Sequence, residues 1–179
     1  MKLKSEMMDK VKNEVGTLLN KLLADEYVLY TKTRNAHWNV TGSNFYELHK
    51  FFEIQHDVLD VMIDDIAERI RATGHFALGS LRDFLRVTQV SEENSDFGNS
   101  TQIIQTLIID HETILHIIRN DIIPNSEKIK DYGTIDFVLG IIEQHEKMLW
   151  MLRAFLSEPF FSAIDHIRNI SDQFAERQN

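Results

Sequence analysis

The residues best equipped for chemistry in this chain fall between positions 49 and 68. His49 and Glu53 stand four apart, and so do Asp64 and Glu68. On an α-helix that spacing makes two side chains surface neighbours. One pair offers an imidazole beside a carboxylate, the other two carboxylates. His56, Asp57 and Asp60 share the same side of the helix, so one stripe gathers two histidines and five carboxylates. Acids crowded in this way repel one another unless water, a cation or a partner chain relieves them.

The element that carries the stripe reads as one long helix. Asn44 can cap it, with Glu47 closing a capping box, and no Gly or Pro interrupts it before Gly74. Phe51, Ile54, Val58, Met62 and Ile66 lie opposite the polar stripe, as in a helix packed into a bundle. The two chemical pairs are fifteen residues apart, or ~22 Å at the helical rise. No single ion touches both pairs on one straight helix. A second copy running antiparallel across a two-fold axis brings Asp64 and Glu68 of one chain opposite His49 and Glu53 of the other. The axis then passes close to Val58 and Leu59. An isologous interface makes everything twice, so the pair of chains holds two identical split sites.

The run His37-Trp38-Asn39-Val40-x-Gly42, followed by Phe45, Leu48-His49, Asp64 and Ala67-Glu68-Arg69, resembles the Dps family of ferritin-like mini-ferritins. The run from His145 to Phe155 looks like that family's last bundle helix. The resemblance covers about residues 5 to 158. It implies an all-α, ferritin-like four-helix bundle with a short helix in the long connection between helices two and three. It implies a hollow dodecamer built from two-fold dimers, with an iron site at the two-fold interface. The matching positions are His37, His49 and Glu53 of one chain and Asp64 and Glu68 of its mate. The implied activity is ferroxidase oxidation of Fe(II), with hydrogen peroxide as oxidant, and storage of ferric mineral. Imidazole nitrogen with carboxylate oxygen suits iron. Apart from the resemblance, His37 reads as a capping or packing histidine. The family's usual residue at the Glu53 position is Asp; Glu keeps the carboxylate and adds a methylene, which alters iron spacing or affinity. By the same resemblance, Trp38 packs at the interface near enough to intercept radicals.

The rest of the chain sets bounds. A chain of 179 residues can bury one core, and it reads as a single domain with a short extension over 159–179. Seven Gly and two Pro favour long helices, and the absence of Cys removes thiolate sites and disulfides. The net charge of -9 argues against a broadly nucleic-acid-binding surface and suits a protein that attracts cations. No apolar run approaches the ~20 residues of a membrane span. The first residues lack the apolar core of a signal peptide, so the cytoplasm is the default.

Helical periodicity marks a first helix over 5–37, a short one over 80–87, a third over 100–123 that stops before Pro124, and a fourth over 132–157 after a turn from Asn125 to Asp131. A further short helix fits 160–177. Glu53-Ile54-Gln55-His56 has the Glu-x-x-His form that di-iron bundles use twice. The fourth helix offers only Glu143-Gln144-His145-Glu146, with the wrong spacing, so an intrasubunit di-iron core is disfavoured. His75, His111, His116, His145 and His166 read as satisfied or exposed histidines, and Asp110-His111-Glu112 as a surface cluster. Trp150, Met148 and Met151 read as core or helix-contact residues. Glu127, Asp131 and Asp136 surround a turn that reads as an ordinary solvated charged turn, or else as the lining of an ion-entry pore in an oligomer.

Two other functions compete. One is a DNA-binding nucleoid-protection protein with iron oxidation secondary. Against it, Lys2, Lys4, Lys10 and Lys12 are set beside Glu6 and Asp9, and the residues after Ser157 mix both signs. Neither end is a polybasic arm, so DNA binding is expected to be weak or absent. The other is a purely structural helical assembly with an inert polar interface.

Overall fold

The computed structural model describes residues 2–92 and 99–156. All regular structure among them is helical: α1 (Lys2–Asn39), α2 (Phe45–Ala72), α3 (Leu81–Val87), α4 (Ser100–Ile117), a π-helical turn (Ile118–Ile122), α5 (Ile123–Ile129) and α6 (Tyr132–Leu156). The helix expected over 160–177 lies outside the described residues. None of the helices described is long and apolar enough to cross a membrane.

The first two helices are antiparallel, with the end of α1 beside the start of α2. His37 meets His49, and Tyr30 meets His56 seven residues further along each helix. The tight link uses Gly42 at φ +113°, a backbone that side chains other than glycine's rarely adopt. The expected capping box is not formed. Asn44 sits at φ -99°, ψ 24° and makes no side-chain cap bond, because a cap needs extended backbone to aim its oxygen at the first turn. At the other end α2 stops as Gly74 predicts. The amide of Gly74 bonds to Arg71 O and that of His75 to Ile70 O, with Gly74 at φ +87°. This Schellman ending satisfies two of the last carbonyls. The His75 ring then lies against Gly16, where a Cβ would come within 2.4 Å of it.

The buried face of α2 comprises Leu48, Phe51, Phe52, Gln55, Leu59, Met62, Ile66 and Ile70. Ile54, expected inside, is 61% exposed, whereas Leu59, expected near a two-fold axis, is fully buried. The apolar row is therefore rotated relative to the wheel reading, and α2 leaves Ile54, Val61 and half-buried Val58 among its outward acids. Each fully buried Leu or Phe contributes about 1.5–3 kcal/mol relative to exposure. Trp150 is another correction. It is 68% exposed, while Met148 is buried.

The long connection from α2 to α4 is held by the side of α1. Ser80 caps α3 by accepting from the amide of Asp83, and Phe84 stacks on Tyr27. Buried Asp25 accepts through Oδ1 from the Thr88 hydroxyl and from the amides of Gln89 and Val90. Burial nevertheless pushes its carboxyl above the usual range. Lys32 reaches Asp110 at 2.6 Å and Ser91 O at 2.8 Å.

Pro124 does not stop the third bundle helix. The chain stays helical to Ile129, with Pro124 in the first turn of α5. A proline inside an α-helix removes a hydrogen bond and clashes with the carbonyl four residues back. The wider π turn before it lets the helix restart, and the first turn of a new helix tolerates Pro. The chain finally turns at Lys130, in the left-handed region at φ 58°. Asp131 then caps α6 by accepting from the amide of Thr134, and Arg69 of α2 binds both Asp131 and Thr134. Of the three acids expected around this turn, Asp131 is thus occupied within the chain. Glu127 and Asp136 are exposed.

Candidate metal centre

His37, in the last turn of α1, and His49, near the start of α2, hold each other in place. His37 Nδ1 lies 2.8 Å from His49 O, and His49 Nδ1 lies 2.8 Å from His37 O. A carbonyl oxygen only accepts, so both Nδ1 atoms carry the proton. In the neutral imidazole Nε2 then keeps the lone pair, and neither Nε2 has a hydrogen-bond partner among the described residues. The rings stack at 3.9 Å, and Phe45 stacks on His49 at 5.2 Å. Both histidines are half-buried. Metal-binding imidazoles are oriented in this way, with the second nitrogen donating to a fixed acceptor.

Glu53 lies one turn beyond His49. Its Oε2 accepts from Lys50 Nζ at 2.6 Å. That hydrogen bond is the main cause holding its carboxyl below the usual range, with the Lys50 charge and His37 and His49 adding to it and desolvation opposing. His56 completes the group. Its ring meets His37 edge to face at 5.2 Å, and its Nδ1 lies 3.1 Å from Asp57. Desolvation holds His56 below the usual histidine range, so it is neutral at neutral pH.

Asp64 and Glu68 are exposed and form no hydrogen bond or ion pair among the described residues. Asp64 shares a surface groove of about 510 Å³ with Asp60, Asp65, Tyr27 and Phe84. Within one chain the five residues therefore fall into two separate groups, one rich in nitrogen and one purely carboxylate. Among the described residues, no three His, Asp or Glu side chains of one chain converge closely enough to hold a metal ion. The donor types of the two halves together, two imidazoles and three carboxylates, suit iron in either oxidation state.

A second polar group lies in the middle of the bundle, where none was expected. Glu26, His111 and His145 are all fully buried. His145 Nε2 lies 2.7 Å from Glu26 Oε1, and its Nδ1 lies 2.7 Å from His111 Nδ1. The two nitrogens of His145 serve opposite partners, so the three groups form a line rather than a cage. Burial, and then the charge of His145, holds His111 well below the usual range. Glu26 Oε2, His111 Nε2 and the amide of buried Gln55 have no partner among the described residues. Asp110 and His111 are thus interior residues, not a surface cluster; only Glu112 is exposed. A signal existed in the sequence. Glu26 shares the apolar stripe of Leu19, Leu22 and Leu29, His111 that of Leu107, Ile114 and Leu115, and His145 that of Ile141, Ile142 and Leu149. A polar residue on such a stripe is placed in the core by its neighbours.

Residues 16–161 match the Ferritin-like domain family. The chain is 36% identical over 148 residues to DNA protection during starvation protein 2 of Bacillus anthracis, covering 81% of this chain and 98% of that one. It is 37% identical over 150 residues to an uncharacterized low temperature-induced protein of Nostoc sp., covering 84% of each. Among solved structures, the DPS protein of Vibrio cholerae O1, described as a member of a broad superfamily of ferritin-like diiron-carboxylate proteins, superimposes with a TM-score of 0.78. The sequence identity is 32%, with 83% of this chain and 92% of that one covered.

Proposed function

Because the chain belongs to the Dps family of ferritin-like proteins, we propose that it detoxifies and stores iron at a site shared between two copies. Fe(II) is the substrate. His37, His49 and Glu53 of one chain bind it together with Asp64 and Glu68 of a two-fold mate. The observation that carries this reading is the reciprocal His37–His49 pair. It presents two imidazole lone pairs, already oriented, beside an ionised carboxylate. Among the described residues no partner uses those lone pairs, and Asp64 and Glu68 are equally unspent.

The proposed reaction is ferroxidation by hydrogen peroxide. Two Fe(II) give up one electron each, the O–O bond breaks, and two hydroxide equivalents form. Pairing the two electrons avoids release of hydroxyl radical. Carboxylates favour the product, because anionic oxygen stabilises the higher charge of Fe(III). The Nδ1–H bonds keep both imidazoles in the metal-accepting tautomer throughout. Ferric ions then pass to mineral inside a hollow dodecamer in the cytoplasm. Trp38 is 62% exposed beside His37, with the Arg34 guanidinium 5.0 Å over its ring. That position suits both interface packing and interception of stray radicals.

The experiment is anaerobic loading of the metal-free protein with Fe(II), followed by peroxide, with ferric absorbance and peroxide consumption recorded together. About one peroxide per two Fe(II), with iron remaining soluble and protein-bound, is expected. Oxidation at the rate seen in buffer, with precipitation, would refute the proposal.

DNA protection, the function printed in the name of the Bacillus anthracis relative, is the second reading. The net charge of -9 opposes it, since neutralised phosphates dominate affinity for DNA. A gel shift at ~0.15 M salt is expected to give no retained complex; tight complexes there would promote this reading.

A further inference from the structure

We propose that Lys50 is a built-in counter-cation of the candidate iron site, which occupies Glu53 until a divalent ion displaces it and thereby sets the site's affinity. The inference rests on the site assignment above. Lys50 Nζ stands 2.6 Å from Glu53 Oε2. Glu53 is the carboxylate of the nitrogen-rich half-site, one helical turn from His49.

A first-row divalent ion binds a carboxylate oxygen at ~2.0–2.2 Å. If Lys50 kept its place on the same oxygen, the two cations would lie within ~5 Å of each other, where repulsion is substantial even in water. Lys50 must therefore leave for the ion to bind well. Its side chain is 49% exposed, and among the described residues its ion-pair partner is Glu53 alone, so it is free to swing away. An ordinary exposed pair at this helical spacing has little influence on stability. The consequence here is for binding. The ammonium compensates Glu53 in the empty site, and its displacement is a fixed cost for each incoming ion. A lone chain therefore holds divalent metal poorly until a mate contributes Asp64 and Glu68.

The test is calorimetric titration of the assembled metal-free protein with Co(II), an air-stable stand-in for Fe(II). The variants are Lys50→Gln and Lys50→Arg, each also combined with His49→Ala. Lys50→Gln should bind Co(II) about threefold to tenfold more tightly than the parent, and Lys50→Arg, which keeps the charge, should match the parent. The His49→Ala change should abolish tight binding in every background. If Lys50→Gln binds no more tightly while binding still requires His49, the role of Lys50 is refuted and the site assignment stands. If Co(II) binding ignores His49→Ala, the site assignment fails and the role of Lys50 fails with it.

Discussion

Replacing His49 with alanine should slow peroxide-driven Fe(II) oxidation by at least about a hundredfold while leaving the oligomer assembled. Loss of even a group that only orients a ligand typically costs 10- to 100-fold, and His49 is proposed as a ligand. The substitution is informative because it keeps part of the local frame. The backbone carbonyl of His49, which receives the Nδ1 proton of His37, survives in the variant. His37 therefore keeps its tautomer while the second imidazole disappears. His49 is also only half-buried, so its loss should disturb the core little. Stopped-flow ferric absorbance measures the rate, and sedimentation the assembly. A purely structural role for the polar stripe predicts the opposite pair of results, with assembly lost and no effect specific to iron.

The largest stability effect should come from the interior line Glu26–His145–His111. His145→Leu removes the one side-chain hydrogen-bond partner that Glu26 has among the described residues and leaves a carboxylate alone in the core. Breaking a buried pair from one side costs about 3–5 kcal/mol, which should appear as a lower denaturation midpoint at fixed protein concentration. The double change Glu26→Leu with His145→Leu should recover much of that loss, because paired replacement by apolar groups leaves no orphaned charge. A double variant less stable than the single one would contradict this account.

The same line sets a pH dependence. The folded-state pKa of His111 lies well below its unfolded value of 6.5. The stability linked to keeping His111 neutral is therefore fully present above pH 6.5. As pH falls further, the unfolded chain takes up a proton that the folded chain refuses, and stability declines by up to ~1.4 kcal/mol per pH unit. The decline stops only at the depressed folded pKa. Asp25 and Asp110 act in the opposite direction, since burial raises both above the ordinary aspartate value of 3.8. They bind protons more readily when folded, so their contribution offsets part of the acid loss as pH falls toward 3.8. Urea unfolding at a series of pH values should show the decline beginning near 6.5, and a flat profile from pH 7 to 5 would exclude it.

The bundle was legible in the sequence because its helices are long and little interrupted by Gly or Pro. Their ends follow local chemistry at Gly74 and Ser80. The pairs His49 with Glu53 and Asp64 with Glu68 were visible as surface neighbours because a spacing of four residues is a property of one helix and needs no tertiary information. What escaped the reading depends on neighbours. Asn44 looked like a cap, but its backbone conformation denies it that role. Pro124 looked like a stop, but a π turn accommodates it. Leu59 and Ile54 exchange inside and outside, because α2 carries more apolar residues than one stripe holds and the contacts with α1 and α6 decide which are buried. His111 and His145 lie thirty-four positions apart, and only the packing of α4 on α6 brings their nitrogens to 2.7 Å.

The central claim is that each iron site is split between two chains, and mixed assembly tests it most directly. One variant loses the nitrogen-rich half by His37→Ala and His49→Ala. The other loses the carboxylate half by Asp64→Ala and Glu68→Ala. Each alone should oxidise Fe(II) no faster than buffer. Unfolded together and refolded as mixed oligomers, they form pairs in which one of the two sites is wholly intact. Random pairing should restore about a quarter of the wild-type sites, read as initial ferroxidase rate per chain. Recovery near that fraction is the predicted result. No recovery, from oligomers shown to contain both variants, would contradict the split site.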